Sequence, residues 1–558
     1  MKRQIYTGNI FSILARILPA IFLIHLNWAC DSNVLDKVPL DRFSDEAVWR
    51  DAALTEAFVN NTYRVMPQGH TSGAQMLASV TDEAYYRTGR PDYISAGNIT
   101  PAELGVLNFW TQGGEAGANY SYWSVITKCN IFFDNIANSP IEETIKQRMI
   151  GEMKSLRAYA YFRLVAFFGG VPLITKSFTL NDDFNVARNS YNECMDFVVN
   201  ELTEAASLLP VTYNDENKGR ITKGAALAIK SRALLYMASP LNNAGQDKTK
   251  WEKAAAAAKE VIDLKVYALF PDYKDQFLKK NLHNQESIWI RPFNYAVDPE
   301  GANVEQTLYP NGYNGFGQSS PLHNMVDAYE MISGKLPKDD PAYDPQNPYV
   351  NRDPRFYASI LYDGAPFQHR EVETFLPGGL DTQEGPVSSW NATLTGYYFR
   401  KFIDETVVNP GGVVRGDSPW IYFRYAEILL NYAEASYFLG NEEIAREYVN
   451  MVRSRPGVQM PPVTESGSAL FDRIINERRI ELAFEEHRYF DVRRWKIAPD
   501  VLNRDGSRMN VRKDPATGKK TYQVQEFTAK NFYEKNYLVP IPQSEIEKNP
   551  LLEQNPGY

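Results

Sequence analysis

Residues 472–495 read DRIINERRIELAFEEHRYFDVRRW, and this dense mixture of charge and apolar side chains limits how the chain can pack. Arg478 has Ile474 and Ile475 one helical turn before it and Leu482 one turn after it, so its guanidinium sits on or beside the apolar stripe. Charge in that position is costly unless it is paired and hydrogen-bonded; Glu477, Glu481 and Glu485 are candidate partners. Asp491, Arg493 and Arg494 continue the pattern beside Tyr489, Phe490 and Trp495. The spacing predicts a helix over 472–495 carrying a structural ion network of Arg478, Glu481, Glu485 and Asp491. A catalytic carboxylate pair must face one cleft. Glu481 and Glu485 instead lie one turn apart among arginines.

Helical periodicity recurs upstream. It is visible over 142–168, over 190–209 with Asn189 or Ser190 as the cap and Pro210 as the stop, and over 221–238, 251–264, 422–438 and 442–454. Gly440-Asn441 separates the last two stretches, and small residues such as Ala445 let paired helices approach closely. Helix pairs of this kind resemble tetratricopeptide-type hairpins. Between 270 and 420 the periodicity fades, Gly and Pro become frequent, and short β-like runs such as Glu286–Ile290 appear. Long loops of this kind inside a compact protein are usually functional. Residues 499–558 read as mostly irregular, with an extended run over 537–542.

The amino terminus is expected to be a secretory signal over residues 1–29. Lys2 and Arg3 precede the apolar stretches Ile10–Leu14 and Ile17–Leu26, and Ala29 precedes Cys30. The apolar run is shorter than the roughly 20 residues a membrane span needs. A Cys at that point is a candidate for lipid attachment, although Asn27 stands where an aliphatic residue is usual. Removing 1–29 takes the formal charge from −9 to −12, because Lys2, Arg3 and Arg16 leave with no acid. So acidic a chain is a poor partner for nucleic acid. Cys129 and Cys194 lie in helix-like apolar surroundings, which favours buried free thiols over a disulfide.

The histidines of the remaining chain are His70, His283, His323, His369 and His487; no two have helical zinc-ligand spacing, and no metal or cofactor is expected. There is no G-x-S-x-G elbow, phosphate loop or dinucleotide fingerprint. A hydrolase built from carboxylates distant in sequence is a remote alternative.

The charged helix also carries a resemblance. Glu477-Arg478-Arg479, Glu481-Leu482-Ala483, Glu485, His487-Arg488, Phe490-Asp491 and Arg493-Arg494-Trp495 resemble the pattern of the SusD/RagB family of outer-membrane nutrient-binding lipoproteins. That family often has Gly where this chain has Glu486. Further blocks agree: Arg157–Leu164 with Gly169–Ile174, Thr222–Ala226 with Leu235-Tyr236, Arg424–Glu427 with Tyr432–Ala435, and Pro540–Pro542 followed by Gln554–Tyr558.

The resemblance implies a mainly α, SusD-like fold: tetratricopeptide-type hairpins as scaffold, and a long loop-rich region with a few short strands. It divides the mature chain into an N-terminal helical region, 30–270, and a C-terminal region, 271–558, loop-rich over 271–420, helical over 421–497 and irregular over 498–558, packed as one compact unit. It also implies a lipid anchor at Cys30, exposure at the cell surface, and a SusC-like TonB-dependent transporter as partner, to which captured glycans are delivered without catalysis. Capture of peptides on the same architecture is the alternative.

The aromatic content of 13%, with 34 Tyr and 9 Trp, is compatible with a glycan surface. Flat rings stack on the C–H faces of sugars and lose little rotamer freedom in doing so. Tyr86, Tyr93, Tyr295, Tyr313, Trp390 and Trp110 are the candidate ligand contacts. Trp123, Trp251, Trp289 and Trp420 read as packing residues.

Overall fold

The computed structural model describes residues 45–70, 77–87, 90–112, 121–294, 296–297, 304–410 and 416–558. The leader, Cys30 and Tyr295 lie outside the described residues. The chain divides into a small unit that ends at Phe58 and includes Ser139–Ile141, and a large one comprising Val59–Asn138 and Glu142–Tyr558. In the small unit Trp49 packs edge-on against Phe58, and its carbonyl accepts a hydrogen bond from the Ser139 hydroxyl.

The large unit is predominantly helical. Its scaffold consists of α1 (Tyr122–Ile136), α2 (Glu143–Phe168), α3 (Tyr191–Leu208), α4 (Lys223–Ala238), α5 (Lys248–Ile262), α6 (Tyr425–Phe438) and α7 (Glu442–Arg453). Each packs on the next in this order, the stacking expected of helical hairpin repeats. Local chemistry sets the boundaries. Ser190 and Glu193 form a reciprocal capping box at the start of α3, and the Thr222 side chain caps α4. Gly440, at φ 85°, makes the tight turn between α6 and α7. Cys129 and Cys194 are buried free thiols.

Helix α8 (Gly467–Glu481) and helix α9 (His487–Arg494) occupy the charged run. The single helix expected over 472–495 is therefore broken. Phe484 and Glu486 have φ of 63° and 67°, which no continuous α-helix allows.

Short strands complete the unit: β1 (Ala84–Tyr86), β2 (Ser287–Arg291), β3 (Ser319–Pro321), β4 (Trp420–Arg424), β5 (Gly506–Lys513) and β6 (Lys520–Thr528). β1 pairs with β3, and β2 with β4, both antiparallel. The first residues of the helix expected over 422–438 thus belong to β4. Its sequence Trp-Ile-Tyr-Phe-Arg favours a buried strand, and the Trp289 ring on β2 stacks 4.1 Å from that of Tyr422. The tail expected to be irregular contains a hairpin, β5–β6, to which Phe375–Leu376 adds a parallel edge. Asp514 closes the hairpin turn by accepting from the backbone N–H groups of Ala516 and Thr517. No helix among the described residues is long and apolar enough to cross a membrane.

Candidate functional site

The aromatic side chains singled out from the sequence meet different fates. Trp390 is 70% exposed. It sits on a single 3₁₀ turn, Ser389–Asn391, entered through Ser388 at φ 39°. Polar contacts from several elements fix this turn. Arg87, which follows β1, donates to the Ala392 carbonyl at 2.6 Å, and the Asn311 amide donates to the Val387 carbonyl at 2.8 Å. Tyr398 Oη accepts from the Thr393 N–H at 2.9 Å. The same hydroxyl lies 2.8 Å from Asn311 Oδ1 and 2.9 Å from the Asp381 carbonyl, either of which can take its proton. Asp381 is fully buried and clamped by Arg370 at 2.6 and 2.8 Å. Gly312 is needed at this point, because a Cβ there would fall 2.3 Å from Asp381 Oδ1.

Tyr86, Tyr313 and Trp110 are buried and do not present their rings at the surface. Tyr86 pairs with Ser319 in the β1–β3 ladder, beside Arg87. Tyr313 Oη lies 3.0 Å from the Phe367 carbonyl and 3.1 Å from that of Arg370, with the Arg370 guanidinium 4.1 Å above its ring. Trp110 packs edge-on against Trp123 and Phe168. Tyr86 thus precedes Arg87, which holds the Trp390 turn, and Tyr313 packs on Arg370, which clamps Asp381. Tyr93 is half-buried on the short helix Arg90–Ser95, its hydroxyl 3.3 Å from Glu103 Oε1. Trp251, Trp289 and Trp420 are core residues.

A polar groove of about 260 Å³ shares Thr393 and Leu394 with the chain that follows Trp390. Thr382, Gln383, Asn510 and Gln525 also line it, and so does Arg508, whose Nε is buried without a hydrogen-bond partner. Hydroxyl, amide and guanidinium groups at this density can read the rim of a hydroxyl-rich ligand. Arg508, Asn510 and Gln525 were missed in the sequence because they belong to the β5–β6 hairpin. The Asp514–Gly518 turn between two β-prone runs was the available signal. A second cavity, about 370 Å³, is bounded by Arg64, Lys218, Arg291, Phe293 and Asn294, with Val297 80% exposed beside it.

The charged network lies in the interior. Glu481 accepts from Arg355 at 3.0 Å and from Arg424 and Arg455 at 2.6 Å each. Glu485 holds Lys401 and Arg424, and Glu477 holds Arg355 and Arg453. Arg478 pairs with Asp491 across the helix break, 2.9 Å away, and not with the glutamates of its own helix. Burial alone would raise the Glu481 carboxyl, but the three guanidiniums outweigh it and hold it well below the usual carboxylate range. Burial also pulls the Lys401 ammonium down to about 8, partly offset by Glu485. Glu481 and Glu485 are therefore ion-paired rather than open to a cleft. Among the described residues no cluster of His, Cys, Asp or Glu could hold a metal ion.

Two family models cover most of the chain. The model of the SusD family matches residues 277–558, and a second, described as starch-binding associating with outer membrane, matches 37–235. The chain belongs to the SusD family. A SusD-like protein of Bacteroides fragilis is 32% identical and superimposes with a TM-score of 0.79 over 94% of this chain and 100% of its own. A SusD-like carbohydrate binding protein of the same species is 28% identical, with a TM-score of 0.76 over 91% of this chain and 100% of its own. A SusD-like protein of Formosa agariphila is 25% identical over 85% of this chain and 90% of its own. In this SusD-family chain the ion network is internal, whereas Trp390 and the polar groove belong to the loop-rich part and the carboxy-terminal hairpin.

Proposed function

We propose that this SusD-family protein binds glycans on the face formed by Trp390 and the adjoining polar groove. It passes them, without chemical change, to a SusC-like TonB-dependent transporter in the outer membrane. The observation that carries this reading is Trp390: a large ring, 70% exposed, on a turn pinned by Arg87, Asn311 and Tyr398. An aromatic face held in advance loses little entropy when a sugar stacks on it. The starch-binding description of one family model and the carbohydrate-binding title of a 28%-identical structure support the ligand class. Tyr93 and Tyr295 remain candidate contacts. A lipid on Cys30 tethers the protein at the cell surface and keeps it at high effective concentration beside the transporter.

Affinity electrophoresis against a panel of polysaccharides tests the proposal. Retardation by at least one glycan is expected, and Trp390→Ala should weaken it about 30-fold, the loss of about 2 kcal/mol typical of a central aromatic anchor. Peptide binding with no retardation by any glycan would overturn it.

A further inference from the structure

A cavity of about 420 Å³ lies away from the Trp390 face and shares no residue with the polar groove. The carboxy-terminal end of α2 contributes Phe162, Val165 and Ala166 to its wall; Tyr236 comes from α4, Phe490 and Arg493 from α9, and Leu538 from the closing segment. The volume falls in the range of small-molecule sites, which combine mostly apolar walls with a few fixed polar groups.

Arg493 is the fixed polar group. It is 7% exposed. Its Nε donates to the Asn536 carbonyl at 3.2 Å and its Nη1 to the Tyr489 carbonyl at 2.8 Å, and its guanidinium lies 3.7 Å over the Tyr489 ring. Among the described residues Nη2 has no partner and no carboxylate pairs with this side chain. Its neighbours in the charged run differ. Arg478 is paired with Asp491, Arg479 and Arg488 with Asp82, and Arg494 with Glu434 and Asp491. A guanidinium stays protonated, and a buried charge without a counter-ion is costly. A second space bordering Arg493 is a void of about 20 Å³, large enough for a single water. Arg188, Arg494 and Lys535, also in the cavity wall, add positive charge against the single carboxylate there, Glu534, which lies 3.9 Å from Lys496. Arg188 directs its donors to backbone carbonyls and the Asn555 side chain, and among the described residues it too has no carboxylate partner.

We propose that this cavity binds a small organic carboxylate with an apolar body: the carboxylate completes the coordination of Arg493, and the hydrocarbon part packs on Phe162, Val165 and Phe490. A charge-assisted hydrogen bond from Nη2 supplies orientation; the apolar wall supplies most of the affinity.

Calorimetric titration of the full chain with octanoate, phenylacetate, octanamide and glucuronate tests this. At least one of the first two should bind saturably and at least tenfold more tightly than octanamide or glucuronate. Arg493→Gln should bring acid and amide within about twofold of each other. Ala166→Phe, which fills the cavity and leaves Arg493 intact, should abolish binding of the acid while leaving retardation by glycan unchanged. Absence of saturable binding by both acids overturns the proposal. So does an amide or glucuronate that binds as tightly as octanoate, or acid binding that survives Ala166→Phe. The Ala166 variant keeps the test decisive if Arg493→Gln fails to fold.

Discussion

Trp390 and Tyr313 belong to the same aromatic, glycine-rich stretch of sequence, yet one faces solvent and the other is wedged between an arginine and two carbonyls. Composition brought both to notice. Only the side-chain contacts separate them, since neither the exposure of a ring nor the long-range partners of its hydroxyl is encoded locally. Tyr313→Phe should lower stability by about 1 kcal/mol through the lost hydrogen bond, and Trp390→Ala should leave the melting temperature within about a degree of wild type while weakening glycan retention about 30-fold. Denaturation of both variants alongside affinity gels checks the division.

Glu305 gives a prediction with a definite sign. Burial, with a smaller push from Asp404, raises its carboxyl to about 7, and its Oε2 has no hydrogen-bond partner. The folded protein therefore keeps a proton that the unfolded chain releases near pH 4.5. The resulting stability is fully present below that pH and is lost as pH rises to about 7. Glu305→Gln should remove this dependence, becoming more stable than wild type by up to about 3 kcal/mol at pH 8 and by much less at pH 5. Urea denaturation at the two pH values reads the difference; an equal offset at both would sink the assignment.

At the scale of elements, the break between α8 and α9 shows what pattern reading sees and what it misses. The apolar and charged periodicity continues through 472–495, so the helix looks uninterrupted. The resemblance, however, has Gly at the position of Glu486, and that residue adopts a left-handed conformation, which favours glycine. Glu486 has a compensating role: its carboxylate lies 2.9 Å from the buried Arg163 guanidinium. Glu486→Gly relieves about 1 kcal/mol of backbone strain but strands a buried cation, which costs about 3–5 kcal/mol. A net destabilisation of about 2–4 kcal/mol is expected from chemical denaturation. The scaffold helices α2 to α7 were legible within a few residues because caps, stops and periodicity agree there, whereas α1 was legible only as helix-like surroundings of Cys129, without bounds. The β5–β6 hairpin was not, because its strands are largely polar and half-exposed, and its turn lacks the two-residue Asn-Gly signal.

At the scale of the whole molecule, Cys30→Ala should leave glycan affinity unchanged and release the protein from the cell surface. Fractionation of cells expressing the variant checks this; retention on cells with the leader removed would sink the lipid assignment.

The buried ion network has a further consequence, for the order in which the chain becomes available. Arg232, Arg355 and Arg424 precede most of the carboxylates that neutralise them, which lie at Glu427, Glu477, Glu481 and Glu485. While the chain emerges from its amino terminus, early collapse would leave Arg232 with no carboxylate, and Arg355 and Arg424 with only Asp353 and Glu286, and an unpaired buried guanidinium costs several kcal/mol. The compact state is thereby favoured only once the last quarter of the chain is available. A version truncated before Glu477 should be digested by proteases instead of surviving as a shorter stable domain.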